Sequence, residues 1–329
     1  MADRLSEDDL IASIFAPLSG PGSLDLRDDA ALLSPPPGHQ IIATADALVA
    51  GVHFFPDDSA DQIAQKSLRV NISDLSAKGA DPWGYLLSLA LPDNCSTNWL
   101  MSFAQGLKAD GKTYGMSLLG GDTVRTPGPL MINVTALGLV PEGQMVQRTT
   151  VKVGDRIYVS GTIGDSALGL ALRLNQIALS TEMKTEWQDH LLIRYLLPQP
   201  RQGLIAALRA HAHASMDVSD GLIGDLTKLL KVSQVSARVE LARIPLSQAA
   251  AGLIALQDDL FDRAVTGGDD YEILCTVPPT QSAEFEQAAA AAKINVTYIG
   301  DVIAGQQAPL WIDRNGQTKI FAKASFSHF

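Results

Sequence analysis

The apolar positions of the chain recur in two spacings, and each spacing predicts a different kind of element. Between residues 57 and 79 they lie three or four residues apart, which is typical of a helix with one buried face. Short apolar runs at 85–91, 130–140 and 157–160 are bounded by Gly, Pro or Asp and predict buried strands. Because helical and strand patterns alternate along the chain, we expect a mixed α/β fold.

Turn residues cluster near residues 141–150, where Pro141 and Gly143 interrupt two strongly apolar strand patterns. Such clusters mark domain boundaries, and a length of 329 residues suits two domains better than one. We therefore predict an N-terminal domain over residues 1–145 and a C-terminal domain over residues 146–329.

Aspartates follow the ends of several predicted elements. The run from Leu118 to Thr123 predicts a buried strand that ends at Gly120 and Gly121 and is followed by Asp122. Paired glycines let a backbone turn sharply and bring its N–H groups close to a ligand. The acids in comparable positions are Asp28, Asp29, Asp46, Asp74, Asp122, Asp217, Asp220, Asp269 and Asp270. Aspartate also favours turns and helix N-termini without a ligand, so that alternative stands for each acid taken singly.

Two glycine-containing segments have features of phosphate loops. Gly106 to Thr113 matches G-x-x-x-x-G-K-[ST], but a helical pattern precedes it and a strand follows, which reverses the order that a phosphate loop needs. We interpret it as a helix end at which Gly111 is the terminating residue. Gly161 to Asp165 lies between a strand and a helix, which is the correct order for binding an anion at a helix N-terminus.

Composition excludes several classes of function. A formal net charge of −11 and a pI near 4.9 would repel the backbone of a nucleic acid. No apolar run is long enough to span a bilayer. Cys95 and Cys275 are the only cysteines, which is too few for a disulfide framework or a zinc site. We expect a cytoplasmic protein that binds neither nucleic acid nor membrane.

Electrostatics links the aspartates to a cofactor. A close pair of carboxylates costs about 1 kcal/mol in water and about 4 kcal/mol at an effective dielectric constant of 20. Carboxylates without nearby Cys or His clusters select hard ions, magnesium before zinc. We predict that acids distant in the sequence meet in one cleft, where Mg²⁺ lets them share space with the phosphates of a nucleotide.

Few residues suit a chemical role beyond binding. His53 is the only histidine close to the acidic set, and a single histidine is more often structural than catalytic. Ser166 and Ser219 lack a paired base at a recognised spacing. Arg148 suits a phosphate contact and an ordinary surface position equally well. We therefore predict no catalytic residue beyond those that position metal and ligands.

The order of the motifs supports a family resemblance. The segments that carry it are 28–33, 44–54, 70–75, 79–82, 120–123, 164–167, 217–222 and 267–272. In these segments the sequence resembles the thiamine-monophosphate kinases, whose superfamily includes aminoimidazole ribonucleotide synthetase and selenophosphate synthetase. The resemblance covers nearly the whole chain. It implies a two-domain, synthetase-like α/β (α+β) architecture, in which N-terminal sheets of two chains close a dimeric barrel and the C-terminal domain is an α/β sandwich.

The resemblance also implies roles for individual residues. It places magnesium sites at Asp29, Thr44, Asp46, Asp74, Asp122, Asp217 and Asp220, to which we add Asp28 from the same acid pair. It places ATP contacts at Gly121, Asp122, Arg148 and Ser219, and thiamine-phosphate contacts at His53, Asp269 and Phe326. ATP and magnesium binding and dimerisation then belong to residues 1–145, and residues 146–329 complete the active site.

Three positions depart from the family pattern. Ala45 stands where the family usually has a second hydroxyl residue, and Arg27 stands where a glycine usually precedes the acid pair. Asp269 stands where glutamate is usual, so its reach to a substrate is shorter by one methylene group. We expect activity to survive these departures, with the substrate contact the most affected.

The predicted function is phosphorylation of thiamine monophosphate to thiamine diphosphate by ATP, through direct in-line transfer assisted by Mg²⁺. One alternative is another ATP-dependent reaction of the superfamily, such as cyclisation of a ribonucleotide amidine. A second alternative is a non-catalytic nucleotide-binding regulator. Selenophosphate synthesis is disfavoured because it typically uses a reactive cysteine in an N-terminal glycine-rich segment, and neither Cys95 nor Cys275 fits.

Overall fold

The computed structural model of the protein describes residues 6–177, 184–322 and Ser325. The chain divides into two compact units. Unit 1 comprises Met1–Leu75 and Ala80–Gln144, and unit 2 comprises Ser76–Gly79 and Met145–Phe329. The short segment Ser76–Gly79 therefore groups with unit 2, although it lies in the first half of the chain.

Unit 1 contains a four-stranded sheet and the helices that accompany it. Its elements are α1 (Glu7–Leu10), β1 (His39–Val49), α2 (Ala60–Ala77), β2 (Asp81–Leu91), α3 (Thr97–Tyr114), β3 (Ser117–Arg125) and β4 (Met131–Pro141). A π-helical turn and a 3-10 turn continue α1 as far as Leu18. The last two residues of α2 belong to unit 2.

The sheet of unit 1 has the strand order β1-β4-β2-β3, so β1 and β3 are its edges and the sheet is open within one chain. The pairs β1–β4 and β4–β2 are antiparallel, whereas β2–β3 is parallel. From Ile42 to Leu48, the even-numbered residues of β1 are buried or half-buried and the odd-numbered residues are exposed. Because successive strand residues face opposite sides, one face of the sheet is covered and the other is open.

The open face carries apolar side chains. Ile41, Leu86, Val124 and Met131 are 36–49% exposed, and the register places each of them on this side of the sheet. Ala43, Ala45 and Ala47 of β1 lie between them and are also exposed. An exposed apolar patch of this kind is typical of an interaction surface.

Helix α3 replaces the apparent phosphate loop. It begins after Ser96, whose hydroxyl accepts the Trp99 N–H at 3.2 Å, and it runs without interruption through Gly106 to Thr113. The prediction that this segment is helical is confirmed. The prediction that Gly111 terminates the helix is wrong, because Gly115 is the C-cap and has the left-handed φ of +74° that favours glycine.

The predicted strand end at Gly120 and Gly121 is also wrong. Strand β3 continues through both glycines and Asp122 as far as Arg125. A Cβ atom on Gly121 would lie 1.8 Å from the carbonyl oxygen of its β2 partner Leu87. Glycine is therefore needed here for the close approach of two strands rather than for a sharp turn.

Unit 2 contains a seven-stranded sheet with the order β11-β10-β7-β9-β5-β8-β6. Strands β10 and β7 run parallel, and the other neighbours in this sheet run antiparallel. The elements are β5 (Arg156–Ser160), α4 (Asp165–Arg173), α5 (Thr185–Leu196), α6 (Ile205–His211), β6 (Ala214–Val218), α7 (Leu222–Val232), β7 (Ser236–Glu240), α8 (Gln248–Leu256), α9 (Leu260–Thr266), β8 (Glu272–Val277), α10 (Ser282–Ala291), β9 (Val296–Ile303), β10 (Leu310–Ile312) and β11 (Thr318–Lys319).

The sheet of unit 2 is buried on both faces. Ile157 of β5 belongs to a core that includes Leu226 of α7. The next residue, Tyr158, belongs to a second core with Leu208 of α6 and Phe285 of α10. Helices therefore cover each side of the sheet, and the predicted mixed α/β fold is confirmed.

Membrane insertion through a helix has no support in the part of the chain that the structure describes. No helix there combines the length and the apolar content needed to cross a bilayer.

The substitution Gly106→Ala tests the close packing of α3 on α2. A Cβ atom at this position would lie 2.2 Å from the carbonyl oxygen of Asp61 and 2.9 Å from Cβ of Ala64. Helix propensity alone would stabilise the variant by about 1 kcal/mol, whereas overpacking costs about 1–3 kcal/mol. We expect the free energy of unfolding, measured in urea, to fall by up to about 2 kcal/mol, the overpacking cost less the gain in helix propensity. Lys108→Ala, at an exposed position of the same helix, should leave it unchanged, and a stabilised Gly106→Ala variant would contradict the packing.

Candidate active site

In unit 1, polar side chains from β1 and α2 meet on the covered face of the sheet. Thr44 and Asp46 lie two residues apart on β1 and leave the strand on this same side. The Thr44 hydroxyl donates a hydrogen bond of 2.6 Å to Oδ2 of Asp74 on α2. Oδ1 of Asn71, one turn earlier on α2, accepts the backbone N–H of Asp46 at 3.1 Å. Three predicted metal ligands, Thr44, Asp46 and Asp74, therefore occupy one contact between a strand and a helix.

Asp122 lies elsewhere on the same sheet. It is exposed on β3 and pairs with Ser88 of β2, which in turn pairs with Asn133 of β4. Residues directly opposite one another point to the same side of a sheet, so Asp122 lies on the open face. Asn133, in line with Asp122 across the sheet, also contacts β1: its side-chain amide donates to the backbone carbonyl of Asp46 at 3.4 Å.

The acid pair Asp28 and Asp29 lies outside any regular element, and both residues are exposed. It follows a short 3-10 turn in which Leu24, Asp25 and Leu26 all have positive φ values, between +52° and +57°. Left-handed conformations of non-glycine residues are unfavourable, so this turn is a strained lead into the acid pair.

His53 belongs to a tight turn directly after β1. Its Nδ1 accepts the backbone N–H of Val49 at 3.0 Å, and its own backbone N–H donates to the Val49 carbonyl at 3.0 Å. A ring nitrogen that accepts an N–H carries no proton, so a neutral His53 has its proton on Nε2. The side chain is half-buried, and its orientation is fixed by the backbone.

In unit 2, two motifs that are about fifty residues apart in the sequence form one paired structure. The backbone N–H of Asp269 donates to the Ser219 carbonyl at 2.9 Å, and the N–H of Tyr271 donates to the Val218 carbonyl at 2.8 Å. A Cβ atom on Gly268 would lie 2.3 Å from the Ser219 carbonyl oxygen. The predicted ATP contact Ser219 and the predicted substrate contact Asp269 are thus held side by side.

The motif at residues 217–222 is held in place by side chains of α7, the helix that follows it. Asp217 is buried on β6, whereas Asp220 is half-buried in the loop after this strand. Oδ2 of Asp225, in the first turn of α7, accepts the backbone N–H groups of Ser219 and Asp220 at 3.0 and 2.9 Å. Nζ of Lys228 lies 2.5 Å from Oδ2 of Asp220 and 2.9 Å from Oδ1 of Asp225. Asp220 therefore contacts a lysine and does not cap α7, whose N-cap is glycine.

Burial and charge shift the ionisation of this loop in opposite ways. Burial raises the pKa of Asp225, and the hydrogen bond and charge of Lys228 oppose the rise. Burial alone would lower the pKa of Lys228, but its hydrogen bonds and charge interactions with Asp220 and Asp225 outweigh burial and raise it. The ammonium group is therefore held in its charged form beside the two carboxylates.

The N-terminus of α4 is occupied by a side chain of the same chain, the carboxyl group of Asp270. Oδ2 of Asp270 accepts the N–H of Gly164 at 2.8 Å, and its Oδ1 accepts the N–H of Ser166 at 3.4 Å. The element order at Gly161 to Asp165 does suit a carboxylate at the helix N-terminus, and here the side chain of Asp270 takes that position. Asp270 is flanked by left-handed φ values of +70° at Asp269 and +51° at Tyr271.

A buried ion network surrounds Asp270. Glu272, which is fully buried, accepts hydrogen bonds from Ser160 at 2.6 Å, Arg194 at 2.9 Å and Nε of Arg201 at 2.6 Å. Arg194 also donates to the backbone carbonyl of Asp270 at 3.3 Å. Burial raises the pKa of Asp270 well above its ordinary value, and the backbone N–H of Gly164 only partly opposes this effect.

Two predicted contacts remain. Arg148 is exposed, and its backbone carbonyl accepts a hydrogen bond of 3.0 Å from the hydroxyl of Ser233, just after α7. Phe326 lies outside the described residues.

Comparison with known proteins assigns the family. Residues 27–140 match the model of the AIR synthase related protein, N-terminal domain, and residues 152–312 match that of the AIR synthase related protein, C-terminal domain. The chain is 43% identical over 306 residues to the thiamine-monophosphate kinase of Caulobacter vibrioides (strain ATCC 19089 / CIP 103742 / CB 15), covering 92% of this chain and 85% of that protein. The chain belongs to the thiamine-monophosphate kinase family.

Solved structures of this family have the same fold. The thiamine-monophosphate kinase from Stenotrophomonas maltophilia K279a aligns with a TM-score of 0.80 at 39% identity, over 89% of this chain and 91% of that chain. AaThiL complexed with AMPPCP and TMP aligns with a TM-score of 0.77 at 27% identity, over 98% of this chain and 94% of that chain. The family resemblance predicted from the motifs is confirmed.

The magnesium assignment of the family stays a prediction for this chain. Among the residues that the structure describes, no three His, Cys, Asp or Glu side chains form a group that could hold a metal ion. The donors at the contact of β1 and α2 are nevertheless hydroxyl and carboxylate oxygens, which suit Mg²⁺. Asp220 forms an ion pair with Lys228 within the chain.

Asn71, Asp225 and Lys228 are not among the site residues that the sequence predicts. Each one fixes a predicted residue: Asn71 contacts the backbone of Asp46, and the other two contact Asp220. Helical spacing is the sequence feature that could have identified them. Asn71 lies three residues before Asp74, and Asp225 lies three residues before Lys228, so each pair lies on one face of its helix.

Buried Asp270 predicts a pH dependence of stability. Its folded-state pKa is raised above the ordinary value of 3.8, so the folded protein binds this proton more tightly than the unfolded chain does. The contribution of Asp270 to the free energy of unfolding therefore falls as pH rises from about 3.8 towards the folded-state pKa, and stays low above it. We expect the stability of the wild type relative to Asp270→Asn, measured in urea between pH 4.5 and 8, to fall as pH rises. A difference independent of pH would contradict the raised pKa.

Proposed function

We propose that the protein transfers the γ-phosphoryl group of ATP to thiamine monophosphate, giving thiamine diphosphate and ADP. The observation that carries this proposal is the similarity over 98% of the chain to AaThiL complexed with AMPPCP and TMP, together with 43% identity to a thiamine-monophosphate kinase. The chemistry of the predicted site agrees, because its oxygen-rich donors suit the metal complex of a nucleotide rather than a covalent intermediate.

The acceptor explains the lack of a strong catalytic base among the predicted residues. A phosphate monoester has a second pKa near 6, so it is mostly a dianion at neutral pH and is already a nucleophile. Catalysis then consists of positioning the two phosphates in line and balancing their charge. No covalent enzyme intermediate is needed.

We propose that magnesium is held by the predicted carboxylate and hydroxyl ligands of each unit. In unit 1 these are Asp28, Asp29, Thr44, Asp46, Asp74 and Asp122, and in unit 2 they are Asp217 and Asp220. Bound Mg²⁺ would neutralise phosphate oxygens and increase the electrophilicity of the transferred phosphorus. The support from the structure is that the Thr44 hydroxyl orients the Asp74 carboxylate and that Asn71 fixes the backbone at Asp46.

The ligand contacts are proposed on the same basis. Gly121, Asp122, Arg148 and Ser219 would contact ATP, and His53, Asp269 and Phe326 would contact thiamine monophosphate. His53 supports this role because the backbone N–H of Val49, bound to Nδ1, fixes the orientation of its half-buried ring. Asp269 supports it because its backbone is locked to Ser219.

A coupled assay with MgATP and thiamine monophosphate tests the activity. We expect thiamine diphosphate and ADP in equal amounts, and no product when EDTA removes the metal. Asp122→Ala and Asp217→Ala should each lower kcat/KM by at least about 100-fold, because each removes a carboxylate that would hold the Mg²⁺ that balances charge in the phosphoryl-transfer transition state.

The control is Asp93→Ala. Asp93 is 82% exposed in a surface ion pair with Arg125, and such pairs contribute about 0–1 kcal/mol, so activity should not change. Nucleotide binding without any thiamine diphosphate would favour a regulator. Turnover of a ribonucleotide amidine alone would favour another synthetase of the superfamily.

We also propose that the protein is a homodimer in which the sheets of unit 1 from two chains close a barrel. Two features support this proposal. Among the described residues no strand lies beside the outer edge of β1, and Ser19 bridges the outer edge of β3 at Leu118, so β1 and the rest of β3 can pair with a partner strand. The exposed apolar side chains of Ile41, Leu86, Val124 and Met131 on the open face would be covered by the sheet of a second chain.

The dimer is tested by the molar mass in solution. Size-exclusion chromatography with light scattering should give about 70 kDa, twice the chain mass of 35.0 kDa. Ile41→Lys places a charge on the open face and should shift the protein towards the monomer mass. Val153→Lys, at a 57% exposed apolar position in unit 2, should leave the mass unchanged. A wild type of 35.0 kDa at micromolar concentration would contradict the proposal.

A reducing, cytoplasmic location completes the proposal. Cys95 and Cys275 are both buried as free thiols, and burial raises the pKa of Cys275, which disfavours the reactive thiolate.

A further inference from the structure

The loop that follows β6 carries predicted contacts to both ATP and magnesium, yet neighbours within the loop fix only part of it. Ser219 and Asp220 are followed by Gly221, whose φ of +115° and lack of a side chain leave α7 without a side-chain N-cap. A loop of this kind would exchange between conformations if no other group held its N–H groups. The group that holds them is the carboxylate of Asp225.

Asp225 is unusual in its position. It is fully buried, and one of its oxygens, Oδ2, accepts both backbone N–H groups of the loop at 3.0 and 2.9 Å. Its other oxygen, Oδ1, accepts from Lys228 at 2.9 Å, and the same ammonium group reaches Asp220 at 2.5 Å. The carboxylate therefore fixes the backbone at residues 219 and 220, and through Lys228 it also restrains the side chain of Asp220.

Burial of the Asp225 carboxylate costs free energy of folding, which indicates that the residue has a role beyond packing. A buried acid is destabilising unless its partners satisfy it, and an apolar residue in the first turn of α7 would avoid that cost. Here the three donors that satisfy Asp225 are the two loop N–H groups and the lysine that also contacts Asp220. Each of these three hydrogen bonds thus involves the loop or the lysine that contacts it.

We propose that Asp225 is a positioning residue that pre-organises Ser219 and Asp220 for the metal complex of ATP, with Lys228 holding the Asp220 carboxylate in place before the metal binds. Asp225 itself touches neither substrate. It acts by removing the conformational freedom of the loop that ligand binding would otherwise have to restrict. This inference deepens the proposed kinase function and rests on it.

Amide hydrogen exchange tests the positioning without any assay of activity. In Asp225→Ala, both N–H groups lose their acceptor, so exchange at residues 219 and 220 should accelerate by at least about tenfold. Asp225→Asn keeps one oxygen that can accept them and should exchange at an intermediate rate. Lys228→Met leaves Oδ2 of Asp225 in place and should keep the wild-type rate at these two amides.

Kinetics tests the link to function on the same variants. We expect Asp225→Ala to raise KM for MgATP by about tenfold, with a smaller change in kcat and a smaller change in KM for thiamine monophosphate, whose proposed contact Asp269 is bound to the same loop through Ser219. Asp225→Asn should recover part of the loss. Binding of the Mg²⁺ complex of a non-hydrolysable ATP analogue, measured by calorimetry, should weaken in the same order.

Asp155→Asn is the matched control. Asp155 is also a buried acid of unit 2 that accepts a backbone N–H, from Lys152 at 3.0 Å, but it precedes β5 and contacts none of the predicted site residues. It should lower stability without changing KM for MgATP or exchange at residues 219 and 220. The Asn variants, which conserve size, keep the test informative if Asp225→Ala does not fold.

The outcomes separate this inference from the proposed function. A wild type that does not phosphorylate thiamine monophosphate would overturn the function, while exchange would still report on the loop. An active wild type whose Asp225 variants match Asp155→Asn in exchange and in KM would overturn the positioning role. Faster exchange with an unchanged KM for MgATP would also overturn it, because the order of the loop would then not matter to ATP.

Discussion

Unit 2 depends on buried carboxylates that are satisfied from within the chain. Asp225, Asp270 and Glu272 are each almost fully excluded from solvent, and each accepts hydrogen bonds from backbone N–H groups, arginine or lysine. A buried charge without such partners would be strongly destabilising. Each of these acids therefore links the strands and loops that donate hydrogen bonds to it. The predicted contacts Ser219 and Asp269 are held in the same way, since Ser219 donates to Asp225 and Asp269 donates to Ser219.

Much of the fold follows from patterns that extend over one element. The helix at residues 57–79 and the strands at 85–91 and 130–140 are found as α2, β2 and β4, because apolar periodicity reflects which face is buried. The exact ends were harder to predict. Gly111 and Gly115 both suit a helix end, and only the left-handed backbone at Gly115 decides between them. Sequence shows that a glycine permits such a conformation, not that it adopts it.

The candidate site could be predicted in part. The contacts of Thr44 with Asp74 and of Asp46 with Asn71 agree with strand alternation and helical spacing, which place these residues on facing surfaces. The strand that continues through Gly120 and Gly121 could not be predicted, since a close approach by Leu87 depends on a partner strand. The roles of Asn71 and Asp225 could not be predicted for a similar reason. Both side chains accept backbone N–H groups, and a sequence motif does not show which backbone group a side chain reaches.

The adjacent residues Asp269 and Asp270 differ in burial and therefore in what they can contact. Asp269 and Asp270 have the same side chain, but left-handed φ values at Asp269 and Tyr271 turn the chain so that Asp270 enters the core and caps α4. Asp269 stays half-buried, with its backbone paired to Ser219. A carboxylate whose oxygens are filled by internal donors has none left for a metal or a substrate. Buried Asp270 thus serves the fold, whereas half-buried Asp269 is the one of the two acids that a ligand can reach from solvent.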